Sequence, residues 1–351
     1  MDSRVRAYAD LLLDYSIGVQ HGWQVLVATT TEALPLAREL SRGLADRGAW
    51  ALTRLVPGAP YPVDLDWIEA APPELAAELP PLELEVLGGL DASIFVLAPT
   101  PGRVAATREA ERAQRAHLLE LRARGRRDEI PSVRCDFPCE HFAALAGLPL
   151  AEYEALFYDA CLRDWPAEEE RMRGVRDRLA GAAELRIVGD GTDLRLSLAG
   201  RAGIIDDGHM NVPGGEVFFS PVEESLEGEI SFDVPTGGTR DVRLVFRGGE
   251  VVEASAAEGD EKLQAALATD DGARRAGELG IGCNDGIPRP TGNVLFDEKL
   301  AGTIHLALGD GFPQIGGRNH SLLHWDLVKD LKRGGELHVD GEVVQRDGAW
   351  L

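Results

Sequence analysis

Hydrophobic and polar positions follow two different periods along this 351-residue chain. In the first half, helical spacing alternates with short apolar runs. Val5, Leu11, Leu12 and Tyr15 share one face of a helix predicted over 4–19. Leu34, Leu40 and Leu44 do the same over 31–47, with Gly48 as the stop. WQVLVA (23–28) is a short buried-strand pattern, and Trp50–Val56 and DASIFVL (91–97) are predicted as a second and a third strand. A Pro-interrupted, partly helical stretch covers 63–79, and an Arg- and Glu-rich helix is predicted over 103–124. Glu140–Leu145 and Leu150–Leu162 are predicted helices, followed by one from Pro166, a residue suited to a first helical turn, to Leu179. Strands and helices alternating in this way predict βαβ units and a parallel sheet covered on both faces.

Beyond a short AGAAE linker (180–184) the period changes to that of strands. LRIVG, DLRLSL, EVFFSPV, GEISFDV, VRLVFRGGEVVEAS, ELGIG, TIHLALG and ELHVDGEVV are separated by Gly, Asp or Pro. Gly248-Gly249 and Asp340-Gly341 suit hairpin turns, and one helix, Asp260–Leu267, interrupts the series. The expected fold is α/β plus α+β. An N-terminal parallel-sheet α/β scaffold domain takes residues 1–183, and a mainly antiparallel, β-rich metal-binding domain takes 184–351.

Composition narrows the function. A formal charge of −23 excludes nucleic acid and anionic membrane as expected partners, since both need clustered Lys and Arg. No apolar run approaches the roughly 18 residues of a membrane span, and the first twenty residues lack a signal-peptide layout. Four cysteines do not make a disulfide framework, so a reducing, cytoplasmic setting is expected. Cys135, Cys139 and His141 in RCDFPCEH have metal-ligand spacing, but no fourth ligand follows. Ala28-Thr29-Thr30-Thr31 follows the first strand where a dinucleotide fold would carry Gly-x-Gly-x-x-Gly, which argues against such a cofactor.

The chemistry concentrates between Gly277 and Asp326. Glu278, Glu298, His305, His324 and Asp326 lie there among glycines and short apolar runs, at the edges of predicted strands. Carboxylates and imidazoles are the side chains that bind zinc, cobalt or manganese. Glu216 opens another apolar strand in NVPGGEVFFSPVEES. His324 and Asp326 are two apart, so on a strand both point the same way. Singly, each has an ordinary structural explanation: a strand histidine is commonly a satisfied core residue, and a carboxylate opening a strand is commonly solvated. Together, in one domain, they suit one metal site.

The segments NVPGGEVFFSPVEES, RAGELGIGCN, GNVLFDEKLAGTIHLALGD and HSLLHWD, in this order, resemble the thermophilic aminopeptidase family (aminopeptidase T and aminopeptidase S). The opening helix-strand-helix is similar too, so the resemblance covers essentially the whole chain. It implies a leucyl aminopeptidase-like exopeptidase with two divalent metal ions, zinc, cobalt or manganese, and a homodimer acting on a peptide or small amide. It implies Glu216, Glu278, His305, His324 and Asp326 as metal ligands and Glu298 as a further active-site carboxylate, here taken as the general base. Two departures stand out. The segment between His305 and His324 is shorter than in the thermophilic members, and Phe312 stands where they tend to have a tyrosine. Lys299 or Arg318 are then candidates to stand in for that hydroxyl beside the substrate, with Phe312 lining its pocket. A related branch implies a different chemistry, an iron(II) dioxygenase that opens dihydroxypyridine rings through two histidines and one carboxylate. The carboxylate-rich set favours hydrolysis. A catalytically impaired, specialised homologue is the third expectation.

Overall fold

The computed structural model describes residues 2–56, 65–76, 78, 80–99, 110, 113, 114, 116, 117 and 129–351. Most of the helix predicted over 103–124 and parts of the 63–79 stretch lie outside the described residues. Two compact units emerge: Met1–Arg163 with Gly208–Gly214, and Asp164–Asp207 with Gly215–Leu351.

In the first unit, β1 (Gln24–Thr29), β2 (Trp50–Leu55), β3 (Ala92–Leu97), β4 (Ser132–Asp136) and β8 (Asn211–Val212) form one sheet. Its order is β2-β1-β3-β4-β8 and every pairing is parallel. β1 and β3 are buried along nearly their whole length, as strands covered on both faces must be. The helix Leu34–Asp46 crosses from β1 to β2 and buries Leu40 and Leu44 as predicted, but with Leu36 in place of Leu34, which is exposed. Tyr8, on the helix Ser3–Asp10, donates its hydroxyl to the Asp136 carbonyl at 3.1 Å, which ties that helix to the end of β4. β4 passed unrecognised in the sequence because RCDFPCEH invites a reading by ligand spacing. Cys135 is instead buried in the strand, and burial pushes its thiol well above the ordinary range.

The second unit begins with the helix Trp165–Leu179, with Pro166 in its first turn. Its strands are β5 (Leu185–Gly189), β6 (Thr192–Leu196), β7 (Ile204–Asp206), β9 (Glu216–Phe219), β10 (Glu227–Phe232), β11 (Val242–Arg247) and β12 (Glu250–Ser255). After the helix Asp260–Leu267 come β13 (Ala276–Gly282), β14 (Thr303–Gly309), β15 (His324–Asp330), β16 (Glu336–Val339), β17 (Glu342–Arg346) and β18 (Ala349–Trp350). They build two antiparallel sheets, β12-β11-β10-β6-β5-β16-β17-β18 and β15-β14-β13-β9-β7. A parallel sheet followed by antiparallel ones is the α/β plus α+β organisation that the sequence predicts.

One apolar cluster joins both antiparallel sheets and the two helices. It includes Leu179, Ile187, Leu194, Ile230, Phe246 and Leu263. The five-stranded sheet contributes Val217, Phe219, Leu279, Ile281, Ile304, Leu306, Leu308 and Leu327. Each such side chain, fully buried, contributes about 1.5–3 kcal/mol. These residues are every second one along their strands, so the residues between them face the other way. Among the described residues, no helix is long and apolar enough to cross a membrane.

Candidate metal centre

Strand register assembles the site. Asp326 on β15 pairs with Ala307 on β14, and Ala307 pairs with Glu278 on β13. His305 pairs with Gly280, Gly282 with Glu216 on β9, and Glu216 with Asp206 on β7. His324 pairs with Gly309 at the head of β15. Paired residues share a face, as do residues two apart on a strand. Asp206, Glu216, Glu278, His305, His324 and Asp326 therefore occupy one face of the sheet whose opposite face is the apolar cluster. Gly280, Gly282 and Ala307 lie between them and leave the floor bare. A Cβ at Gly280 would overlap the imidazole of His305, so the ring lies directly across this glycine. Gly215, at φ 110°, turns the chain into β9 through a conformation that favours glycine and so delivers Glu216.

The donor atoms converge as two triads that share one residue. Glu216, Glu278 and His305 form the first, and Glu278, His324 and Asp326 the second. His305 Nε2 is 3.3 Å from Glu216 Oε2 and 3.4 Å from Glu278 Oε1, while His324 Nε2 is 3.3 Å from Glu278 Oε2 and 3.8 Å from Asp326 Oδ1. Glu278 thus offers one oxygen to each triad.

Three features of these residues fit a divalent cation. First, His305 Nδ1 is 3.0 Å from the Glu298 carbonyl and His324 Nδ1 is 3.1 Å from the Asp310 carbonyl. Carbonyls only accept, so each Nδ1 carries the proton and each Nε2 faces the carboxylates with its lone pair unless a cation or proton intervenes. Second, Glu216 Oε2 is buried and has no hydrogen-bond partner. An anionic oxygen without a partner is costly in such a place. Third, the charge does not balance. Among the described residues, Asp206, Glu216, Glu278, Glu298 and Asp326 gather about one ammonium, that of Lys299. With neutral imidazoles, five carboxylates and one ammonium leave a net charge of −4, and burying unpaired charge costs on the order of several kcal/mol per ion.

The same strain shows in the proton affinities. Burial raises the Glu216 and Asp326 carboxyls, the latter to about 6. Burial opposes charge on His305, but Glu278 and Glu216 outweigh it and lift the imidazole to about 10. Burial also opposes charge on Glu278, yet His305 and His324 outweigh it and hold its carboxyl down near 2. Protons take up positions here that a metal would claim.

The remaining candidates separate. Glu298 follows the helical turn Val294–Asp297, whose Asp297 carboxylate accepts from Thr291 N, Thr291 Oγ1 and Gly292 N. This half-buried carboxylate lies beside the centre and belongs to neither triad. Phe312 packs on Phe218 with ring centroids 4.9 Å apart, and edge-on against His324 at 5.7 Å. Lys299 is fully buried between carboxylates. The Arg318 side chain is 72% exposed and its backbone N–H donates to Glu223. Sequence reasoning missed Asp206, Gly280 and the Asp310 carbonyl. Gly280 had a signal in GELGIG, where glycines at alternate strand positions empty one face. Asp206, on a three-residue strand, had none.

Comparison with known proteins gives this geometry a family. Aminopeptidase 2 of Geobacillus stearothermophilus is 24% identical over 98% of this chain and 96% of its own length. Wild-type AmpT from Thermus thermophilus shares the fold with a TM-score of 0.78 at 23% identity, over 99% of each chain. The 2,5-dihydroxypyridine dioxygenase from Pseudomonas putida KT2440 also shares it, with a TM-score of 0.61 at 13% identity over 99% of this chain and 96% of that one. The family described as thermophilic metalloprotease (M29) matches residues 1–350, and this chain belongs to it.

Proposed function

We propose that this metal-dependent aminopeptidase works through a two-ion centre, with one divalent cation on Glu216–Glu278–His305 and the other on Glu278–His324–Asp326. The observation that carries the reading is the pair of triads joined through the two oxygens of Glu278. Imidazole and carboxylate donors suit zinc, cobalt or manganese. Held there, such ions would supply a water of near-neutral pKa and polarisation of a scissile carbonyl.

The chain's own residues supply the rest. Glu298 accepts the proton of the attacking water and returns it to the leaving amine as the amide bond breaks. The negative lining attracts the cationic N-terminus of a peptide, which suits removal of residues from that end. Phe312 and Phe218 set an apolar, aromatic wall beside His324, so an apolar N-terminal side chain is the preferred one. Phe312 carries no hydroxyl, and Arg318 is exposed at the same loop to meet the remainder of a peptide. The family resemblance also suggests a homodimer, which sedimentation equilibrium tests directly.

The test is elemental analysis of chain purified without chelator, together with leucine release from leucyl-para-nitroanilide. About two equivalents of metal with hydrolysis support the reading. A chain that binds no divalent metal and releases no leucine overturns it. A single equivalent of iron with oxygen uptake on a hydroxypyridine would install the dioxygenase instead.

A further inference from the structure

We propose that Lys299 is a positioning residue of this centre: its buried ammonium takes one oxygen of Glu216 and one of Glu298, and so decides which oxygen of each is left to act. The inference rests on the two-ion reading and gives a role to a buried cation that the reaction itself does not use.

Lys299 is fully buried. Its Nζ lies 3.0 Å from Glu216 Oε1, 2.6 Å from Glu298 Oε1 and 3.8 Å from Asp206 Oδ2. An ammonium donates and accepts none, so Glu216 and Glu298 each take a hydrogen bond from it, while Asp206 adds a longer ion pair. Glu216 and Lys299 are 83 residues apart in sequence; the pairing of β7 with β9 sets Asp206 beside Glu216, and the Asn284 N–H, just past the end of β13, donates to the Lys299 carbonyl at 2.8 Å and fixes the lysine next to them. A buried lysine is a poor device for stability alone, since an apolar residue of the same volume commonly does as well. Its geometry does something that an apolar residue cannot.

With Oε1 of Glu216 occupied, Oε2 is the oxygen that lacks a hydrogen bond and lies 3.3 Å from His305 Nε2. Glu216 is thereby set to meet a cation through one oxygen. Glu298 is tethered through Oε1, beside both triads and outside them. Held there it stays a base; released, a flexible carboxylate next to a dication would become a ligand. Loss of Lys299 frees both oxygens, so the number of protein donors rises and the base is lost.

The experiment uses the full chain stripped with chelator and reloaded with cobalt(II). Cobalt absorbs strongly in the visible at four or five ligands and weakly at six, so its spectrum reads donor number independently of activity. In Lys299→Met we expect cobalt uptake to persist, the visible band per cobalt to weaken, and kcat on leucyl-para-nitroanilide to fall about 10–100-fold with KM little changed. Lys299→Arg, which keeps the charge and the donors, should restore the band. If the methionine chain fails to fold, Lys299→Gln gives the same reading, because one amide cannot ion-pair with two carboxylates. A folded Lys299→Met chain with the wild-type band and kcat overturns the proposal, and so does one that takes up no cobalt. A wild-type chain that binds no cobalt and releases no leucine overturns the two-ion reading itself, and this role with it.

Discussion

The two faces of the β15-β14-β13-β9-β7 sheet are made by the same strands and do opposite work. One face carries Val217, Phe219, Leu279, Ile281, Ile304, Leu306, Leu308 and Leu327, all in the apolar cluster. The other carries Glu216, Glu278, His305, His324 and Asp326 over bare Gly280, Gly282 and Ala307. The apolar face lowers the free energy of the fold by leaving water. The polar face raises it by gathering like charges out of water, and is tolerable only because the first face holds the strands in place. A metal site of this kind is therefore a destabilised surface mounted on a stable one, and a residue's effect should depend on which side it faces.

Glu278→Ala tests this contrast most severely. It removes the residue that both triads share, and with it several kcal/mol of transition-state stabilisation, so hydrolysis should fall more than about a thousandfold. The metal-free melting temperature should fall modestly near neutral pH, because His305 and His324, which hold the Glu278 carboxyl down near 2, lose that partner; unchanged hydrolysis would overturn the shared role of Glu278.

Leu306→Ala is the converse, one position along from His305 and facing the other way. It should cost about 2–5 kcal/mol of stability in denaturant unfolding. The fraction that remains folded should keep its full metal stoichiometry.

Gly280→Ala comes next. The added methyl displaces the His305 ring, and metal affinity or activity should drop about 10–100-fold with the fold intact. Unchanged affinity would mean that the ring is free to move.

A smaller effect separates the faces by pH. In chelated protein, His305 has its folded pKa raised to about 10 from an ordinary value near 6.5. Its contribution is thus fully present below about 6.5 and lost as pH rises through about 10. Glu216, raised by burial, pulls the same way in the lower part of that window, since its folded form keeps a proton that the unfolded form has lost. Metal binding needs deprotonated ligands and strengthens over the same range. Melting curves from pH 6.5 to 10 should therefore show a widening gap between metal-loaded and chelated protein.

Phe312→Tyr is the mildest change. A hydroxyl added beside His324 should alter kcat or KM for apolar N-terminal residues severalfold, on the scale of about 1 kcal/mol for one hydrogen bond, and leave metal content unchanged.

Much of this was legible in the sequence, and the reason is local. The apolar patterns of TIHLALG and EVFFSPV announced strands, and β14 and β9 are buried at every position. His324 and Asp326, two apart, announced a shared direction, whereas Gly280 and Gly282 went unread although their alternate spacing empties one face. The helices at 140–145 and 260–267 follow equally from spacing. The illegible parts were short or distant. β7 has three residues and no period to detect, so Asp206 had no signal. The metal-like spacing of Cys135 and Cys139 belonged to a buried strand end. Lys299 read as a candidate to stand in for the missing hydroxyl beside the substrate, because nothing in its sequence neighbours tells of Glu216.

The sequence alone determined the parallel and antiparallel character of the two halves and the residue types that meet a metal. Both are set by side-chain chemistry and by periods of two and 3.6 residues, which act over a few neighbouring positions. Only the tertiary structure decided that Glu278 joins two triads, that Glu216 gives one oxygen to Lys299 and leaves the other bare, and that the segment Gly208–Gly214 returns to the first unit. Those outcomes depend on strand order and register, which the free energy of the whole apolar cluster fixes at once. No stretch of ten residues carries that sum.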